Sequence, residues 1–244
     1  MGKEDSCFYA GIKRSIQHAY LKADKVKKYV AMHHSPYPEI VRTFRRGFLR
    51  NYTVWLWGNE LYDYWEAVPE YGSSAIAFSE NEKECAAEKA AWGRWRANIR
   101  PCFLQRKEDV YYESISELVH IDGERSRDVY HVTDAKRGSA VKRHVLCARL
   151  RPDKKDAFCR LTRGNLALLS AVLCAHHVGN LSVSLLGDDV YIYFEYSKDT
   201  YESDMAHLLE NETFAAWKRA AEACMLVRAE GGFYKVFQEI FCCE

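Results

Sequence analysis

"NYTVWLWGNELYDYWE" (51–66) and "NLSVSLLGDDVYIYFE" (180–195) decide how this chain is read. Aligned, they share seven identities: Asn51/Asn180, Val54/Val183, Leu56/Leu185, Gly58/Gly187, Tyr62/Tyr191, Tyr64/Tyr193 and Glu66/Glu195. The offset is 129 residues. Upstream, "LKADKVKKYVAMH" (21–33) and "LRPDKKDAFCRLT" (150–162) keep that offset and share Leu21/Leu150, Asp24/Asp153 and Lys25/Lys154. Two separate blocks at one spacing point to a tandem duplication. Within each first-quoted stretch, two apolar-rich strands flank a tight turn at Gly58-Asn59 or Gly187-Asp188, the signature of a β-hairpin. Tyr52, Trp55, Leu56 and Trp57 put bulky groups on both faces of the first strand, which implies a sheet covered on both sides.

Working outward, each copy reads as strand, helix, hairpin, helix, strand. "RSIQHAYL" (14–21) and "RHVLCARL" (143–150) open the copies as strands. Asp24 and Asp153 stand where an N-cap or first-turn acid belongs. In the first copy Pro36 and Pro38 interrupt the helix that follows, which resumes from Pro38 and ends near Gly47. Later helices carry Trp92 and Trp217, and "SISELVHI" (114–121) and "KVFQEIFCC" (235–243) close the copies as strands. The expected organisation is a first repeat over 10–121, a polar linker over 122–142 and a second repeat over 143–244.

Composition narrows the function. Hydrophobic residues make up 48% of the 244 and aromatics 14%, enough for proper cores. Lysine and arginine (35) nearly balance aspartate and glutamate (34), so no basic footprint for nucleic acid is expected. The nine cysteines form no CxxC pair, and the N-terminal stretch lacks a signal-like apolar run. Reduced thiols in a cytoplasmic protein are expected, with no metal and no membrane segment.

The candidate chemistry lies in "YVAMHHSPYPE" (29–39). Tyr29 and His33 are one helical turn apart, so both can face one small ligand. Histidine can accept or donate a proton near neutral pH, and a tyrosine hydroxyl suits hydrogen bonding or weak acid work. Adjacent histidines such as His33-His34 and His176-His177 diverge by about 100° around a helix and cannot chelate one ion alone. Trp55, Trp57 and Trp65 read as core rather than ligand contacts.

This pattern, tyrosine-x-x-x-histidine followed by Tyr37-Pro38-Glu39, together with "NYTVWL", the tryptophan helix and "ISELVHI", resembles the L-rhamnose mutarotase family. The resemblance covers most of 14–121 and extends more weakly to 143–244. It implies an α+β fold: two ferredoxin-like repeats packed sheet to sheet as an intrachain pseudo-dimer with exchanged terminal strands, resembling a dimeric α/β-barrel. It also implies a cofactor-independent isomerase that interconverts sugar anomers by acid/base ring opening. His33 and Tyr29 are then the catalytic pair, and Tyr52, Trp92 and Asn51 contact a monosaccharide. Two departures bear on sugar identity: Ala91-Trp92 replaces a tryptophan pair, and His34-Ser35 replaces asparagine-proline.

The second copy carries Phe158, Thr162 and Leu181 where the first has Tyr29, His33 and Tyr52. It reads as a structural half, present to supply the dimer-like partner within one chain that could itself be monomeric. Two other classes are compatible with the residues. One is a sugar-binding or protein-interaction module that kept the fold without turnover; the other is an oxidative or heme-linked enzyme of related α+β architecture.

Overall fold

Lys13–Tyr20 (β1) is a strand that buries Ile16, His18 and Ala19, and a 3-10 turn over Ala23–Lys25 leads into the helix Val26–His34 (α1). Asp24 lies in that 3-10 turn and makes no side-chain cap. The break expected from the prolines is present: α2 spans Pro38–Arg46, with Tyr37 extended before it and Pro38 in its first turn. The computed structural model describes residues 13–47, 49–67, 76–106, 110–121, 141–196 and 198–243. Most of the expected linker, 122–140, and residues 10–12 of the expected first repeat lie outside that set.

Two units emerge. The first comprises Met1–Ile115 with Gln238–Glu244, and the second Ser116–Phe237. After α2 the first unit continues with β2 (Leu49–Trp57), β3 (Glu60–Ala67), α3 (Glu82–Ile99) and β4 (Tyr112–Ser114). Its antiparallel sheet runs in the order β10-β2-β3-β1-β4, where β10 is the C-terminal strand Gln238–Cys243. Without β10 this is the 4-1-3-2 order of a ferredoxin-like βαββαβ unit.

The second unit holds β6 (Lys142–Arg149), α4 (Lys155–Gly164), α5 (Leu166–Ala175), β7 (Val178–Leu186), β8 (Asp189–Tyr196), α6 (Tyr201–Glu210), α7 (Glu212–Glu222) and β9 (Tyr234–Val236). Its order, β5-β7-β8-β6-β9, repeats that of the first, with Ser116–Ile121 (β5) as the added strand. Each copy's closing segment thus splits. Its short leading strand stays with its own sheet, and the six residues that follow pair along the hairpin of the other unit's sheet. The α+β class follows directly from these elements. Helix α6 has no counterpart in the expected layout.

Local chemistry recurs at matching positions. Gly58 and Gly187 both adopt φ +60°, at the first central position of two-residue hairpin turns, where residues with a Cβ are strained. Asn51 and Asn180 take left-handed φ of 51° and 44° at irregularities in the hairpin register. Asparagine tolerates that conformation better than most residues. Each asparagine amide donates to a buried glutamate, Asn51 Nδ2 to Glu66 Oε2 at 3.1 Å and Asn180 Nδ2 to Glu195 Oε1 at 2.8 Å. Tyr64 and Tyr193 hydroxyls donate to the same two carboxylates. Asn81 and Asn211 cap α3 and α7 by accepting from the Glu84 and Phe214 amides.

In the first unit, Tyr29 of α1 packs with Ala19, Leu21, Val54 and Leu61, while Ile40, Phe44 and Leu49 pack with Ala91 of α3. Arg46 Nη1 reaches both oxygens of the buried Glu88 carboxylate at 3.0 and 2.9 Å, tying α2 to α3. Among the described residues no single helix is long and apolar enough to cross a membrane.

Candidate active site

Between the helices and the sheet of the first unit lies a cavity of about 460 Å³. Its walls are aromatic: Phe44 from α2, Tyr52 from β2, Trp92 and Trp95 from α3, Tyr112 from β4 and Phe241 from β10. His33, the penultimate residue of α1, opens onto it. Arg96 and Arg100, both exposed, stand at its edge, with Arg96 over the Trp92 ring and Arg100 over Tyr111. Phe241 reaches this cavity because β10 pairs with β2.

The His33 ring is fixed from several sides. Nδ1 lies 3.0 Å from the Tyr29 carbonyl oxygen, which can only accept, so Nδ1 carries the hydrogen and Nε2 keeps its lone pair. Tyr29 stacks on the imidazole at 4.1 Å between centroids, while Trp95 and Phe241 meet it edge-on at 5.2 and 5.7 Å. Burial pushes the His33 pKa down to about 4, against a smaller opposing effect of the Tyr29 carbonyl. The imidazole is therefore neutral at physiological pH. It is oriented as an acceptor.

The other expected site residues divide. Tyr52 lines the cavity, and its ring meets Phe44, Trp65 and Phe241 edge-on. Trp92 lines it too, held by an Nε1–H bond to Thr43 Oγ1 at 3.0 Å. Tyr29 does not line the cavity: it is fully buried against His33, and its hydroxyl lies next to that of Tyr112. Positions i and i+4 share a helix face, but α1 buries its Tyr29 end against Phe103 and leaves the cavity to His33. Asn51 is likewise away from the cavity lining, with its amide engaged by Glu66. Its left-handed backbone forms the irregularity immediately before Tyr52, a device that re-aims the next side chain. Asn180 repeats this arrangement in the second unit, so the asparagine–glutamate contact belongs to the hairpin of both units.

Trp55 is buried and Trp65 packs in the Tyr52 cluster, as expected of core residues, whereas Trp57 is exposed. Trp95, Tyr112 and Phe241 were not singled out from sequence as ligand contacts. Asp63 was also missed. It is 2% exposed, its Oδ1 has no hydrogen-bond partner, and burial pushes its pKa up to about 8. The signal was present: in the quoted hairpins Asp63 aligns with Ile192, the one place where an acid in the first copy faces an aliphatic residue in the second. In the second unit Phe158 and Ile192 join one apolar cluster with Leu181 packed against it. Among the described residues no group of three or more histidine, cysteine or acidic side chains could hold a metal ion.

Comparison with known proteins fits this division of the chain. In overall structure the chain resembles a Fusobacterium nucleatum protein named a monooxygenase, at 9% identity and TM-score 0.51, over 97% of this chain and 94% of that one. It also resembles a Lactobacillus acidophilus protein of the same description, at 6% identity and TM-score 0.50, over 96% of each chain. At such identities these likenesses show the fold alone. No curated protein matches the chain in sequence. A family model does match: residues 14–121, the segment carrying Tyr29, His33, Tyr52, Asp63 and Trp92, match the L-rhamnose mutarotase family and support for that segment the family read from its sequence.

Proposed function

We propose that the first unit is a sugar mutarotase and that the second, which shares its element order, hairpin turn and asparagine–glutamate contact through tandem duplication, is a structural half. The observation that carries the reading is His33, a neutral imidazole whose Nε2 is left to a ligand in an aromatic cavity with room for a monosaccharide. Trp92, Trp95 and Tyr52 offer flat apolar faces for the C–H side of a pyranose ring. His33 Nε2 takes the proton of the anomeric hydroxyl. The bond from C1 to the ring oxygen then breaks, an acid protonates that oxygen, and rotation about C1–C2 followed by the reverse steps gives the other anomer. Two protons move and no electrons are transferred, so the reaction needs no redox partner. Tyr29 serves by holding His33: its carbonyl fixes the tautomer and its ring fixes the plane.

Saturation-difference and exchange NMR with L-rhamnose, L-fucose and common hexoses tests this reading in one sample. Binding accompanied by anomer exchange above the uncatalysed rate supports it. Binding without exchange replaces it with the sugar-binding module, and neither response refutes both.

A further inference from the structure

A carboxyl group without a hydrogen-bond partner at Oδ1 sits in the middle of the first sheet. Asp63 lies on β3, the central strand of five, between Val54 of β2 and Gln17 of β1. Burying a carboxyl without a hydrogen-bond partner is costly, so its presence calls for an explanation. The fold itself has no need of an acid there, because the second unit places Ile192 at the matching point and packs it into an apolar cluster.

The polar groups on the Asp63 face are the Gln17 amide, directly opposite on β1, and three tyrosine hydroxyls. Tyr52 lies on the same face of β2 as Val54, and Tyr112 of β4 sits beside Ala19, diagonally across β1. Tyr29 approaches from α1. All three feel the Asp63 charge, and burial together with that charge holds each phenol well above its usual range. No lysine or arginine among the described residues offsets the burial of Asp63. Tyr52 and Tyr112 also line the cavity, so the two hydroxyls nearest the sugar side also feel the Asp63 charge.

We propose that Asp63 supplies the proton that complements His33, acting through the hydroxyls of Tyr52 and Tyr112 rather than on the sugar itself. The inference rests on the mutarotase reading and names its missing acid. In the ring-opening direction the anomeric O–H proton goes to His33 Nε2, C1=O1 forms and the bond from C1 to the ring oxygen breaks. That oxygen takes a tyrosine proton, and the tyrosine is reprotonated from Asp63, which is left as carboxylate. Ring closure returns both protons. A phenol held well above its usual range donates poorly by itself. A carboxyl pushed up to about 8 is largely protonated at neutral pH and can give and regain a proton.

The test uses the full chain with L-rhamnose as probe. Asp63→Asn and Asp63→Ile are expected to fold, as Ile192 indicates, and to lower the exchange rate by about 10²-fold or more while L-rhamnose affinity stays within a few-fold. The wild-type rate should fall as pH rises through about 8, and that limb should vanish in Asp63→Asn. Asp63→Glu should recover part of the rate. In ¹³C-aspartate-labelled protein, one carboxyl resonance should titrate near pH 8, be absent from Asp63→Asn and move when L-rhamnose is added. Full exchange and an unchanged pH profile in Asp63→Asn would overturn the proposal, as would a resonance titrating in the ordinary carboxylate range. If the wild-type chain exchanges no sugar, the mutarotase reading fails on its own. The response of the Asp63 resonance to L-rhamnose then decides the inference: movement keeps Asp63 in the binding site and no movement removes it.

Discussion

Asp63 should make the first unit lose stability as pH rises, and Asp63→Asn should remove that loss. An aspartate titrates near 3.9 in an unfolded chain, whereas burial places Asp63 at about 8 in the fold. Because the folded value is the higher one, the folded state holds its proton where the unfolded state has released it. The associated stability is fully present below about pH 4 and is lost progressively up to about pH 8. Each pH unit in that window is worth about 1.4 kcal/mol, so from pH 5 to pH 8 the wild type should lose about 4 kcal/mol relative to Asp63→Asn. Five of the six tryptophans belong to the first unit, so tryptophan fluorescence in urea reports mainly on it. Melts of both proteins at pH 5, 6, 7 and 8 should show the stability difference widening steadily with pH in favour of the variant. Parallel curves would mean that Asp63 titrates normally and that the physical case for its role is wrong.

Other perturbations follow from the same geometry. His33, held down to about 4 against an unfolded value near 6.5, has the opposite sign: stability present above pH 6.5 is lost as pH falls toward 4, by about 3 kcal/mol. His33→Ala should flatten that part of a pH–stability profile. Tyr29→Phe removes a buried hydroxyl beside that of Tyr112 and keeps both the stack and the carbonyl contact. It should move the melting temperature by only a few degrees and slow exchange by less than about tenfold, whereas His33→Ala costs about 10²–10⁴-fold. Thr162→Ala, at the matching point of the second unit, should leave exchange unchanged. Phe241→Ala opens one wall of the cavity and should weaken L-rhamnose binding in a titration while His33→Ala leaves binding largely intact.

The hairpins were the most legible part of the sequence. Their glycine turns and paired asparagines recur in both units because the backbone there must adopt positive φ, which few residue types tolerate. The helix break was legible for a similar reason, since proline restricts its neighbour. Site membership was less legible, because shared helical spacing says nothing about depth: Tyr29 and His33 share a face, yet only His33 opens onto the cavity. Phe241 and Tyr112 come from strands distant in sequence, and only the pairing of β10 with β2 and β4 with β1 brings them to the site. Asn51 was expected at the ligand through the family resemblance alone, and the structure shows its amide and its backbone conformation shaping the strand. Asp63 could have been found by asking which residue of the first copy the second copy refuses.

The most direct test is the α/β exchange rate of L-rhamnose, read by one-dimensional NMR magnetisation transfer at neutral pH with wild-type protein, His33→Ala and no protein. Exchange by the wild type well above the uncatalysed rate, falling to near background in a folded His33→Ala variant that still binds the sugar, is the expected result. Wild-type exchange that survives the loss of His33 would contradict the site, and a bound sugar that never exchanges would contradict the chemistry.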